Sequence, residues 1–318
     1  MEKIQPRFST SSGDPRLDRR YEWAAAALSE GDAATAVDLL DQTLGEAPGF
    51  VAAWHLYGKA KAKLGSKEEA AEAWRQCLVL DDADHLGARL DLARIGAIPA
   101  ELAASDPFSG RLFDEYAERF DSHLVESLSY HGPALLKDAL ARACAAQNRA
   151  LSFAMTLDLG CGTGLMGEAI RAETEFLAGC DLSARMIEKA RAKSRDDGGP
   201  LYDKLAVAGL VEFLASRRDA SADLVIAADV FVYLGELAPA FAQTARVLTA
   251  TGLVAFTVQD HDGEDVIVGE DRRFAHGERW LRRQLSEVRL TPLLLEAAST
   301  RKDRGKPVPG LVVVAACA

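Results

Sequence analysis

Near the middle of the chain, Asp158, Gly160, Gly162 and Gly164, with Asp181 further on, have the types and spacing to hold a ligand through backbone groups and carboxylates. The apolar run Leu151 to Leu159 carries one acid near its end and then gives way to glycines at alternate positions, before a helical pattern resumes at Leu165. That order reads as a strand, a tight turn and a helix start. Such a turn lets bare backbone approach a ligand, and the helix start offers unpaired N–H groups. Two common glycine patterns compete. Counted from Gly160, G-x-G-x-x-G fails at Leu165; counted from Gly162 it is met by Gly164 and Gly167. A phosphate-binding P-loop would need a lysine at the helix start, where Gly164-Leu165-Met166 has none.

The elements that must position these residues follow in a regular rhythm. Expected strands at 151–159, 176–181, 205–208, 223–228 and 253–258 alternate with expected helices at 165–172, 184–195, 210–217 and 236–249, which predicts a doubly wound α/β sheet, mostly parallel. Leu290–Ala298 and Leu311–Ala316 read as two further strands joined by a polar connection, placing an antiparallel C-terminal strand in that sheet. Ligands of open sheets of this kind sit beyond the carboxyl ends of the strands.

Asp158-x-Gly-x-Gly-x-Gly164, followed by an acid ending the next strand, resembles motif I of the class I S-adenosylmethionine-dependent methyltransferases, and the antiparallel edge is similar to theirs. The resemblance implies a Rossmann-like fold and S-adenosyl-L-methionine as cofactor. It places Asp158 near the ammonium of the methionyl group, Gly160, Cys161, Gly162 and Gly164 around the nucleoside, Asp181 on the ribose hydroxyls with Leu182 beside it, and Met186 over the adenine. Ala208-Gly209-Leu210 departs from the family in offering no acid for the adenine amino group, which leaves Glu212 or the backbone of Gly209 and Leu210. The loop after the fourth strand lies beside the transferable methyl in the family. Asp229, Val230 and Tyr233 are therefore contact candidates, with Phe231 and Val232 as packing. The Asn/Asp-Pro-Pro-Tyr signature of nitrogen methylation is absent, as is a carboxylate set for a catechol-type magnesium site.

Upstream, Leu112, Phe113, Tyr116, Phe120 and Leu124 share one helical face. The run Phe108–His131 resembles the lid preceding motif I in bacterial methyltransferases fused to tetratricopeptide repeats, which makes Tyr116, Arg119, His123, Tyr130 and His131 candidates for the substrate pocket. Tyr233, His123 and Asp229 are the catalytic candidates, and His261 and His276 are further side chains able to act as a base. The basic stretch Arg272–Arg283 reads as a solvated helix face or as a site for an anionic group.

Between residues 20 and 100, a shift of 34 aligns Gly31 with Gly65, Ala36 with Ala70, Leu40 with Trp74 and Trp23 with Tyr57. This period and the pattern Trp54-x-x-Tyr57-Gly58 resemble tetratricopeptide repeats, with Asp84–Ile95 as a capping helix. The expected organisation is a disordered N-terminus over 1–19, an all-α repeat domain over 20–97, linker and lid helices over 98–147, and a methyltransferase domain over 148–318.

Composition narrows the partners. A net charge of −11 without a long basic block argues against nucleic acid. Five scattered cysteines without paired spacing read as reduced thiols in a cytoplasmic protein, with no metal site. Residues 1–20 lack the apolar core of a signal peptide, and no segment approaches the roughly twenty apolar residues of a membrane span. A small-molecule acceptor is the first expectation. The alternatives are a protein substrate or peptide partner held by the repeats, and an interaction protein whose α/β domain is weakly active or inactive.

Overall fold

The computed structural model describes residues 11–119, 130–195, 197–303 and 305–317. The chain divides into two compact units, Met1–Phe108 and Ser109–Ala318, with the division falling inside one helix, Asp106–Tyr116. This differs from the expected boundaries at 97 and 147, because that helix runs through what reads as a linker.

The first unit is helical: α1 (Pro15–Glu30), α2 (Ala33–Glu46), α3 (Val51–Lys63), α4 (Lys67–Leu80) and α5 (Ala88–Arg94). α1 begins at Pro15, inside the stretch expected to be disordered. Asp14 caps it by accepting the Arg16 N–H at 2.8 Å, and Pro15 supplies the fixed φ suited to a first helical position. Gly31 ends α1 with φ +99° and Gly65 follows α3 with φ +84°, so the repeat in the sequence is a repeated left-handed turn between paired helices. Leu40 and Trp74 occupy equivalent places, both with no exposed surface. A Cβ at Gly58 would collide with the Trp74 indole, so the glycine is what lets α3 and α4 approach around so large a side chain. α5 is shorter than the expected 84–95 helix, because Asp84 takes φ +58° and accepts the Arg89 N–H at 3.1 Å, starting the helix late.

The second unit is a twisted sheet covered by helices. α6 is Asp106–Tyr116 and α7 is Gly132–Ala146. The strands β1 (Phe153–Leu159), β2 (Thr174–Asp181), β3 (Lys204–Val207), β4 (Ala222–Ala227) and β5 (Leu248–Gln259) alternate with α8 (Leu165–Ile170), α9 (Ala184–Ala192), α10 (Leu210–Ala215) and α11 (Ala238–Val247). Two short strands, β6 (Val266–Val268) and β7 (Phe274–His276), follow and lead into α12 (Glu278–Glu287). The chain then forms β8 (Leu290–Ala298), the two-residue strands β9 (Lys302–Asp303) and β10 (Lys306–Pro307), and β11 (Gly310–Cys317).

The main order is β3-β2-β1-β4-β5-β11-β8, with β11 antiparallel to both neighbours and β1 to β5 parallel. The last strand is thus inserted inside the sheet, and β8 forms the edge. Their compositions explain the choice. Leu311 to Ala315 is an unbroken apolar run, fully buried, whereas β8 carries Pro292 and Glu296 and is half exposed. Strand order reverses at β1, which lies between β2 and β4, so a crevice opens beyond the carboxyl ends of β1 and β4. Among the described residues no helix is long and apolar enough to cross a membrane.

Candidate active site

The turn after β1 has Gly160, Gly162 and Gly164 all at positive φ, +59°, +53° and +97°, conformations that side chains resist. Gly160 is also crowded: a Cβ there would stand 2.6 Å from a Val230 methyl, so the loop after β4 presses directly on the turn. The Cys161 N–H donates to the Cys180 carbonyl at 2.8 Å, tying the turn to the end of β2. Burial pushes the Cys161 thiol well up, so it stays neutral.

The Asp181 carboxylate meets that turn. One oxygen accepts the Gly162 N–H at 3.0 Å, and the other accepts the Ser183 N–H at 2.8 Å. Each retains lone-pair capacity for a second donor. Burial pushes its carboxyl up despite these bonds. Ser183, rather than Asp181, caps α9, accepting the Met186 N–H at 3.1 Å. Met186 has no exposed surface and lies in the core, the alternative to a place over an adenine. Leu182 is half buried beside Asp181. Ala208 N–H bonds to the Asp181 carbonyl at 3.0 Å, bringing the half-exposed Gly209 and Leu210 to the same end of the sheet, while Glu212 is exposed on α10.

Asp158 also departs from expectation. Its side chain is buried beneath the turn, with one oxygen accepting the Tyr202 hydroxyl at 2.6 Å and the other buried without a hydrogen-bond partner. Burial pushes this carboxyl up to about 7. Tyr202 itself escaped the sequence reading. Its ring fills the space left by Gly167 in α8 and Gly179 in β2, where added Cβ atoms would collide with it. Isolated glycines inside a helix and a strand are the signal that marks such an approach.

The helix α6 and the turn Ala117–Arg119 lie across these strand ends. Asp114 accepts the Ser183 hydroxyl at 2.6 Å, Glu118 pairs with Lys189 at 3.2 Å, and Gly110 sits against Leu182. Phe113 meets the Tyr233 ring edge-on, with centroids 4.9 Å apart. Tyr116 ends the helix and Arg119 ends the turn after it. His123, Phe120 and Leu124 lie outside the described residues.

Beyond β4, Asp229 takes φ +54° and is held from three sides. Thr257 donates to one of its oxygens at 2.8 Å, Thr300 donates to the other at 2.7 Å, and the Arg301 guanidinium stands 3.9 Å away. With both oxygens engaged, Asp229 braces the loop after β4 against Thr257 and Thr300. Tyr233, half exposed, lies under the Arg273 guanidinium at 5.5 Å from its ring centroid. Tyr130 joins this group: burial pushes its phenol well up, and Asp229, Asp158 and Tyr233 add to the shift. The His131 N–H bonds to the Thr300 carbonyl at 3.0 Å, while its side chain is exposed.

The other candidate bases stand apart from this site. His276 is fully buried, bonds to the Leu234 carbonyl at 2.8 Å and is pushed down to about 4 by burial. His261 is engaged by its own loop, to the Asp265 carbonyl at 2.9 Å and the Gly263 N–H at 3.1 Å. The basic stretch divides. Arg279 and Arg282 form the solvated face of α12, whereas Arg273 turns toward Tyr233. Among the described residues no group of three or more His, Cys, Asp or Glu could hold a metal ion.

Residues 157–254, which span the glycine turn, Asp181 and the loop at 228–235, match the family described as methyltransferase domain. This part of the α/β unit is similar to a methyltransferase domain. Its similarity to the ubiquinone biosynthesis O-methyltransferase of Nitrosomonas europaea is 28% identity over 108 residues, covering 34% of this chain and 44% of that protein. The chain thus spans less than half the length of that relative. The chain shares its fold with the 1,6-didemethyltoxoflavin-N1-methyltransferase of Burkholderia thailandensis, solved with 1,6-didemethyltoxoflavin and S-adenosylhomocysteine (TM-score 0.51, 16% identity, 69% of this chain and 93% of that one). It also shares it with a 4+2 cyclase (TM-score 0.53, 15% identity, 65% and 95%). A fold that serves both names leaves the chemistry to be argued from the site.

Proposed function

We propose that this protein transfers the methyl group of S-adenosylmethionine to a small-molecule acceptor in the cleft crossed by α6. The observation that carries this is the Asp181 carboxylate on the Gly162 N–H: it joins the ends of β1 and β2 into one edge whose unused lone pairs suit the two hydroxyls of a ribose. The other residues fit the same group. The bare Gly160–Gly164 turn admits a nucleoside, and the unpartnered buried oxygen of Asp158 suits a cation placed above it. Gly209 and Leu210 offer backbone groups in place of the missing adenine-binding acid.

When bound, the cofactor supplies an electrophilic methyl group on a sulfonium. The chain's task is to align the acceptor and exclude water. Tyr233, Tyr130 and Phe113 supply walls and hydroxyl donors, and Asp114 holds α6 against α9. The N-terminal unit reads as two tetratricopeptide-like repeats, a docking surface for a peptide partner. The protein is read as cytoplasmic on its free cysteines.

Titration calorimetry with S-adenosylmethionine and S-adenosylhomocysteine tests the reading. Heat with both, tighter for the demethylated product, is the expected result. Silence with both ligands would leave an interaction protein built on an inactive methyltransferase domain.

A further inference from the structure

Two guanidinium groups stand beside the loop after β4, and the chain pairs them unequally at short range. Arg301 comes from the connection between β8 and β11 and is only 4% exposed. Its guanidinium reaches Asp271 and Gln259, each at 3.3 Å, and lies 3.9 Å from Asp229. Arg273, which begins the approach to β7, is half buried, and among the described residues no carboxylate comes within ion-pair reach of it. Its guanidinium lies over the Tyr233 ring, 5.5 Å from the centroid, and although burial depresses it, Tyr233, Asp271 and Asp229 together raise it. The two cations are close enough that Arg273 depresses the Arg301 guanidinium, adding to the effect of burial.

Setting a second cation beside a buried one costs free energy unless an anion is shared between them. Asp229 and Asp271 make their short contacts with Arg301 and act on Arg273 only from beyond ion-pair reach, and both oxygens of Asp229 are further occupied by Thr257 and Thr300. Among the described residues no carboxylate bonds the guanidinium of Arg273, which lies over the ring of half-exposed Tyr233. Guanidinium forks match carboxylate and phosphate oxygens. We propose that Arg273 and Arg301 form an oxyanion subsite beside Tyr233, which binds a carboxylate or phosphate group carried by the acceptor. This rests on the methyl-transfer reading of the same cleft and narrows its substrate class to anions. It also gives the β6–β7 excursion a purpose, since Arg273 is delivered by the strand that pairs with the end of β5 through Gln259 and Ala275.

The experiment is titration of the full chain, with and without saturating S-adenosylhomocysteine, using benzoate, phenyl phosphate and neutral benzamide as probes. At least one anion should bind about tenfold or more tighter than benzamide, and whichever anion is preferred assigns the group as carboxylate or phosphate. Arg273→Gln should weaken that binding about tenfold, with Arg273→Lys between, while Arg282→Gln on the exposed face of α12 leaves it unchanged. Benzamide binding as well as the anions, no heat from either anion, or unchanged affinity in Arg273→Gln would each overturn the subsite. The comparison among probes uses the unaltered protein, so it stands even if a variant folds poorly. Anion binding that persists while S-adenosylhomocysteine gives no heat would remove the methyl-transfer reading and leave the subsite. Cofactor binding without anion binding would do the reverse.

Discussion

Asp114 accepts the hydroxyl of Ser183 at 2.6 Å, so the residue that caps α9 is also the residue that fastens α6 beside the end of β2. The neighbouring Arg185 adds a backbone N–H to the same carboxylate oxygen at 3.4 Å and a guanidinium bond to the Asp114 carbonyl at 3.3 Å. Asp181 lies two residues before Ser183, and its first oxygen accepts the Ser183 N–H. The Asp181 carboxylate and the helix fastened beside it therefore share one short stretch of chain.

Asp114→Ala removes the acceptor of a hydroxyl bond to a charged group, worth roughly 1.5–3 kcal/mol. Hydrogen exchange in the segment 109–119 should accelerate, and S-adenosylhomocysteine should bind more weakly, with the fold otherwise intact by circular dichroism. Unchanged protection of that segment would mean the contact does not hold α6.

Asp181→Ala should cost on the order of 1–3 kcal/mol of cofactor binding, read by calorimetry. Asp181→Asn keeps one acceptor oxygen and should fall between. Equal affinity in all three proteins would remove the ribose assignment, whatever the variants do to stability.

Asp158 makes stability depend on pH. Burial pushes its carboxyl up to about 7 in the folded protein, against 3.8 for the free group, so the folded state binds its proton more tightly than the unfolded state does. That contribution is fully present below the unfolded value and is lost as pH rises through about 7. Between about pH 5 and pH 8 the wild type should lose roughly 2–3 kcal/mol more than Asp158→Asn in urea unfolding. A saturating cationic cofactor should narrow the gap by favouring the ionised carboxylate. Parallel pH profiles for the two proteins would show that the carboxyl is not perturbed.

Gly160→Ala places a methyl group against Val230 in a backbone conformation at φ +59°. Either the turn or the loop after β4 must move. The expected result is loss of cofactor binding by about tenfold or more with a destabilisation of roughly 1–3 kcal/mol. Val230→Ala in the same chain should recover part of the binding by vacating the space. No recovery would assign the loss to backbone strain alone.

Much of the sheet was legible because its signals are local. Glycines at 160, 162 and 164 announce a turn through their own conformational freedom, and apolar runs announce strands through their period, whatever lies elsewhere in the chain. The antiparallel β11 was legible for the same reason, and its insertion inside the sheet is written in the contrast between Leu311–Ala315 and the Pro292- and Glu296-bearing β8. The Gly31 and Gly65 turns likewise follow from a period in the sequence.

The polar contacts of the site were decided only by the tertiary structure. Tyr202 reaches Asp158 across 44 residues, Asp114 reaches Ser183 across 69, and Thr300 reaches Asp229 across 71. A polar side chain between strands carries no period, and its partner depends on which strand ends the sheet order brings together. The same holds for charge. Arg301 sits in a connection that reads as polar, yet folding buries it between Asp229 and Asp271, and Arg273 is drawn from a basic stretch whose Arg279, Arg282 and Arg283 stay exposed. Composition determined that this chain could build an α/β sheet with a bare glycine edge. The burial of a few charges, whose cost depends on neighbours distant in sequence, determined what that edge can bind.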